Sequence, residues 1–354
     1  MKKTIFSIII ICLIVGCTNL AKIENPSFSI QDALGRHVEF TDFPERIVIA
    51  GKQTPTISNF FYLFPSKSDK LVAIENRSQS KNRFLSIIDK DFESKLALDK
   101  GAGVEQISPI NPDLVILVSS MKESIGNSLQ EVGINVIYVS FENIEEIFQA
   151  IQILGSVLDS ETRAKELVSE YQRINFEINE ETAKNHKVED VLLIQVTTID
   201  NGYSYKVPST EWLQTKMIED LEAEPVWKLA SLSGGWTEIN IEQIINWNPE
   251  TILVINYQGH SLEIVNELLE NDVWKIFLDE KEINLKAFPY DYSSWDQPDT
   301  RWILGKAWIA NILYPEKIPE SDVIGLVIDF YSYFYTVEET IISNEILPGI
   351  STFF

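Results

Sequence analysis

The chain has 354 residues, 45% of them hydrophobic, with 29 basic against 53 acidic side chains and a formal net charge of -24. That length permits two domains of ordinary size, and the apolar content excludes an intrinsically disordered chain. So acidic a surface repels nucleic acid and anionic headgroups, which excludes the phosphate-binding functions and leaves no nucleic-acid partner expected.

Lys2 and Lys3 precede an apolar run from Ile5 to Val15. The run is too short to span a bilayer comfortably and reads as a targeting segment. It ends Ile14-Val15-Gly16-Cys17, which resembles the lipobox of bacterial lipoproteins. The resemblance implies a signal peptide over residues 1–16 and a diacylglyceryl group on the thiol of Cys17. The protein is then exported and held at the cell envelope by its lipid alone, on the periplasmic or outer face of a membrane. Cys12 leaves with the signal peptide, so no disulfide is possible and stability must come from the core. Residues 17–27 read as a polar tether.

Two alternating runs around Leu34-Gly35-Arg36 predict a β-hairpin, and Phe43-Pro44-Glu45-Arg46-Ile47-Val48-Ile49-Ala50-Gly51 leads into a buried strand. A helix up to Phe64 and a strand at Leu71–Ile74 follow. Then comes Val104-Glu105-Gln106-Ile107, a break at Asn111-Pro112-Asp113, and the apolar run Leu114 to Val118. Much later the chain repeats itself: Ile241-Glu242-Gln243-Ile244, a break at Asn248-Pro249-Glu250, and an apolar run ending at Ile255. Proline biases the residue before it away from the helical region, so each helix stops there. An unalternating apolar run fits a strand covered on both faces, as in a parallel sheet. The repeat therefore predicts two α/β lobes built alike.

Between the repeats the pattern turns helical. Ile144, Ile147, Ile151, Leu154 and Leu158 mark one apolar face, and a second helix runs from Glu161 to about Asn185. About 25 residues of helix span roughly 37 Å, enough to cross from one lobe to the other. The predicted organisation is an N-terminal lobe over 28–158, a connecting helix over 159–186 and a C-terminal lobe over 187–354. The second lobe opens with a strand at Asp190–Val196, a loop over 197–206 and a helix through Leu221.

The hairpin with Asp32-Ala33-Leu34-Gly35-Arg36, the Pro44-Glu45-Arg46-Ile47-Val48 strand and the Asn111-Pro112-Asp113-Leu114-Val115-Ile116 unit resemble substrate-binding proteins of bacterial ABC importers. The likeness covers roughly residues 28 to 340 and is to the rigid two-lobed class that binds ferric siderophores, haem or cobalamin. It implies two Rossmann-like lobes with parallel sheets, joined by a stiff backbone helix. It also implies a monomer without a cofactor, partnered by the membrane permease subunits of an importer and by a metal-chelate ligand. One surface glutamate per lobe, Glu105 and Glu242, would dock onto arginines of the permease.

In a parallel sheet, ligands sit beyond the carboxyl ends of the strands, which singles out the loops after Ala50, Ile74 and Val118. In the C-lobe, Tyr203, Tyr205, Trp236, Tyr257, Tyr290, Tyr292 and Trp295 suit a large, partly planar ligand. Arg77, Arg83, Lys206 and Arg301 suit the carboxylates or anionic centre of a chelate. The three histidines, His37, His186 and His260, are too scattered to make a metal site of imidazoles. Two alternatives stay open. One is a bare oxyanion such as molybdate or tungstate as ligand. The other is a secreted cleft enzyme using paired carboxylates among Glu238, Asp291 and Asp296.

Overall fold

The computed structural model describes residues 28–76, 84–183, 188–200, 202–230 and 234–354. Cys17 and its tether, Arg77, Arg83 and His186 lie outside the described residues.

The strands β1 (Phe28–Gln31) and β2 (His37–Phe40) pair antiparallel as the predicted hairpin. Its turn is closed by the buried Asp32 carboxylate, which accepts from the N–H groups of Leu34 and Arg36 and pairs with the Arg36 guanidinium at 2.6 Å. Five further strands make one parallel sheet: β3 (Ile47–Ile49), β4 (Leu71–Glu75), β5 (Leu96–Leu98), β6 (Leu114–Val118) and β7 (Val136–Val139). Their order is β5-β4-β3-β6-β7, and β6 is buried at every position, as its unalternating sequence requires.

The second sheet holds β8 (Asp190–Ile199), β9 (Gly202–Val207), β10 (Glu224–Pro225), β11 (Thr237–Ile239), β12 (Thr251–Ile255) and β13 (Asn284–Ala287). The order is β11-β9-β8-β12-β13, with β10 beside β8. Here the sequence reading needs correction. β9 and β11 run antiparallel, so this sheet is mixed, and the loop expected over 197–206 is a hairpin that continues β8 and returns as β9. Gly202, the first residue of β9, takes φ 136, a backbone conformation open to glycine.

The repeat corresponds to equivalent places in the two sheets. β6 lies beside β3 as β12 lies beside β8. The helices Val104–Ile107 and Ile241–Trp247 precede them, and Asn111 (φ 52) and Asn248 (φ 49) both take the left-handed conformation before their prolines. Asparagine tolerates that region better than most residues. The acid after each proline has the same task. Asp113 accepts from the N–H groups of Glu45 and Arg46 at 2.9 Å, just before β3; Glu250 accepts from that of Asp190 at 3.2 Å, where β8 begins.

The long helix, Glu161–Thr182, has 22 residues and so spans about 33 Å. Near its start it packs on helix Ile144–Val157, where a Cβ on Gly155 would come within 2.4 Å of that of Ala164. Further along, Tyr171 donates to the Thr300 carbonyl at 2.7 Å and stacks on Trp302, and Asn175 accepts from the Lys306 ammonium at 2.7 Å. The lobes also meet directly. Asn59 of helix Thr54–Phe61 donates to Asp299 at 2.6 Å, and Phe84 packs among Tyr292, Tyr331 and Tyr335. With both lobes tied to one helix and to each other, small-angle scattering should show the same radius of gyration with and without ligand. A large closure on binding would contradict this brace. Among the described residues no helix is long and apolar enough to cross a membrane.

Candidate functional site

A cleft of about 780 Å³ opens between the lobes and is lined from both. The N-lobe contributes Lys52 and Gln53 after β3, Pro55 and Thr56 in the first turn of the next helix, Asn76 after β4, Lys100 after β5 and Glu142 after β7. The C-lobe contributes Trp212, Leu213 and Gln214 where helix Leu213–Asp220 begins, Trp236 before β11, Tyr257 after β12, and Gln297 and Pro298 beyond β13. Most of these positions are carboxyl ends of parallel strands, the general place for ligands in such sheets. The loop after Val118 is an exception. None of its residues is among those lining the cleft; Met121 lies against Gly51, where a Cβ would sit 2.9 Å from the Met121 Cγ.

The two walls differ in character. The C-lobe wall is aromatic: Trp212 meets Trp236 edge to face at 5.5 Å, and Trp236 meets Tyr257 at 6.0 Å. Behind it lies Asp296, fully buried, which accepts from Tyr257 Oη at 2.8 Å, from Gln214 Nε2 at 3.2 Å and from the Ser294 hydroxyl. Burial pushes the Asp296 pKa up, and those three donors pull against it. The Tyr257 pKa is raised by burial and then by Asp296, so the phenol stays a donor. Among the described residues the N-lobe wall carries the charge, with exposed Lys52 and Lys100 against one carboxylate, Glu142. Loss of water and then the nearby Glu146 raise the Glu142 pKa.

Of the predicted binding residues, Trp236 and Tyr257 line this cleft. Seven others, Lys206 among them, are not among its lining residues. Tyr203 and Tyr205 stand on β9, where Tyr203 donates to Glu267 at 2.8 Å and Tyr205 accepts from Trp274 Nε1 at 2.9 Å. Tyr290 packs over Gly259, and Tyr292 stacks on Phe84 and donates to the Glu345 carbonyl. Trp295 and Arg301 are 0% exposed and have no surface to offer a ligand. The Arg301 guanidinium pairs with Asp291 at 3.1 Å and Asp299 at 2.8 Å, with the Phe84 ring 4.4 Å away. Burial alone would lower its pKa, but Asp291, then Tyr331 and Asp299, hold it well above its ordinary value.

Nor do the three carboxylates considered for catalysis converge. Asp291 serves Arg301, Asp296 serves Tyr257 and Gln214, and exposed Glu238 lies 3.7 Å from Lys206 on the neighbouring strand. Among the described residues there is no group of three histidine, cysteine or acidic side chains able to hold a metal ion. Glu105 and Glu242 stand exposed in the first turns of their helices, outside the cleft.

Sequence reasoning missed Lys52, Lys100, Trp212 and Gln214. The first two were within reach, since each stands just beyond the carboxyl end of a strand.

A family model described as periplasmic binding protein matches residues 71–277. The chain belongs to that family. Among its relatives, the Haemophilus influenzae molybdate-binding protein MolA is 28% identical over 102 residues, 28% of each chain. The Staphylococcus aureus high-affinity heme uptake system protein IsdE is 24% identical over 178 residues, 49% of this chain and 59% of that one. The matches thus span less than two thirds of either relative. The Bacillus subtilis ABC transporter substrate-binding lipoprotein YvrC is 24% identical over 326 residues, 87% of this chain and 95% of its own length. Among solved structures, a periplasmic solute binding protein from Veillonella parvula superposes with a TM-score of 0.74 at 20% identity, covering 92% of this chain and 98% of that one. Molybdate-bound MolA gives 0.68 at 19% identity over 87% and 98%. At such identities the structural likeness speaks for the fold, which is that of a two-lobed periplasmic binding protein.

Proposed function

We propose that this periplasmic binding protein is the substrate-binding component of an ABC importer and captures an anionic metal chelate in its inter-lobe cleft. Cys17 is its lipid anchor, and Glu105 and Glu242 dock the two lobes onto the permease. The observation that carries the ligand class is the contrast between the walls. In a chain of net charge -24, the described cleft residues include two lysines and one carboxylate, facing indole and phenol rings. Ammonium groups attract an anion, and the rings offer apolar faces to a ligand with planar parts. No histidine or cysteine lines the described cleft, whose titratable oxygen groups are Glu142 and Tyr257, and this supports a metal that arrives within a chelate. A volume of about 780 Å³ belongs to the range of drug-sized ligands, far above what a four-oxygen oxyanion fills.

The relatives support the class without narrowing the ligand. YvrC is called an ABC transporter substrate-binding lipoprotein, IsdE a heme uptake protein and MolA a molybdate-binding protein.

The test is a titration of tryptophan emission, because Trp212 and Trp236 both line the cleft. Ferric tris-catecholate, an anionic chelate with aromatic rings, is expected to quench emission saturably with one equivalent bound. Trp236→Ala removes an aromatic wall residue and should weaken binding by about tenfold, as should the pair Lys52→Met with Lys100→Met. No saturable response to the chelate, or saturation by molybdate instead, would contradict the reading.

A further inference from the structure

We infer that Glu75 is a positioning residue for the cleft: one buried carboxylate sets the two loops from which Lys52 and Lys100 reach the ligand. The inference rests on the reading of the cleft as an anion site and deepens it.

Glu75 is the last residue of β4 and is 1% exposed. β4 lies between β3 and β5, so the loops leaving those two strands pass on either side of it. Each carboxylate oxygen holds one loop. Oε2 accepts from the Gly51 N–H at 2.6 Å, and Oε1 accepts from the Gly101 N–H at 2.7 Å. Lys52 follows Gly51 directly, and Lys100 directly precedes Gly101. Both glycines are in the left-handed region, at φ 81 and φ 84, which a side chain would resist. The Glu75 carbonyl adds a third tie, accepting from Thr54 Oγ1 at 3.0 Å at the start of the helix whose first turn lines the cleft.

Short bonds to an ionised acceptor are the stronger kind, and the two to Glu75 are shorter than the other carboxylate tie at the Lys100 loop, where Asp99 accepts from Gln106 Nε2 at 3.3 Å. A carboxylate suits this task because its two oxygens accept from two directions at once. An amide has one oxygen, and its NH₂ would face an N–H donor. Glu75 therefore acts through the lysines and does not itself line the cleft.

The test compares Glu75→Gln with wild type in two ways. In ligand-free protein, hydrogen exchange at the Gly51 and Gly101 amides should speed up by about tenfold at one or both sites, as expected for loss of a charge-assisted bond. Affinity for ferric tris-catecholate should fall by about tenfold when both lysines are present, and by less than about twofold when they are Lys52→Met and Lys100→Met. A residue that merely supports the fold would weaken binding equally in both backgrounds, and that result overturns the inference. So does unchanged exchange at both glycines. Should Glu75→Gln fail to fold, Glu75→Asp keeps the charge but is too short to reach both loops, and it must release at least one of the two amides. If wild type ignores the chelate altogether, the anion reading falls by itself, and exchange still decides whether Glu75 holds the loops.

Discussion

Arg301→Met is expected to cost about 3–5 kcal/mol of stability, the range for breaking a buried ion pair from one side. Methionine replaces the stem of the side chain but leaves Asp291 and Asp299 buried without their cation. Asp299 also accepts from Asn59, and the Phe84 ring lies against the guanidinium, so the loss falls where the two lobes are fastened. Urea unfolding followed by far-ultraviolet circular dichroism reads the change. The companion variant Arg301→Met with Asp291→Asn and Asp299→Asn removes the stranded charges and should recover a large part of the loss. A cost below about 1 kcal/mol, the value of an ordinary surface pair, would mean that the cluster is wet and not a fastening.

Reversing both glutamates proposed to dock the permease is expected to nearly abolish uptake while ligand affinity stays the same. Glu105 and Glu242 occupy matching places in the repeat and lie outside the cleft, so Glu105→Lys and Glu242→Lys leave the ligand's surroundings intact. A like-charge contact costs several kcal/mol, so each single reversal should lower uptake by roughly tenfold or more. Uptake of labelled chelate by cells and binding by the purified protein are measured side by side. Weakened binding would move the glutamates into the ligand site. Intact uptake would reduce them to acids that favour a helix N-terminus.

What the sequence made legible was what depends on near neighbours. Asn-Pro followed by an acid recurs because the same local task recurs: a left-handed asparagine ends the helix, and the acid fastens the start of the adjacent strand. The hairpin after β8 also carried a local signal in Asn201-Gly202, which aromatic residues at 203 and 205 obscured by suggesting a binding loop. The fate of Arg301 carried no such signal. A charged residue in a proline-containing loop reads as exposed, and its burial depends on Phe84 and Tyr331, which lie far away in sequence. The cleft showed itself only in part, for a related reason. Its aromatic wall pairs Trp212 with Trp236, and its lysines come from two separate loops, so only the tertiary fold assembles either set. Aromatic residues do form one wall of the cleft, but most of those nominated from sequence lie outside it.

The claim that this protein carries an anionic metal chelate is tested most directly by native mass spectrometry of the protein taken from its own cell envelope, with elemental analysis of the same sample. The expected result is one small organic molecule per chain together with one equivalent of a transition metal, both lost together on denaturation. A bare oxyanion, or a metal ion bound without any organic ligand, would contradict it.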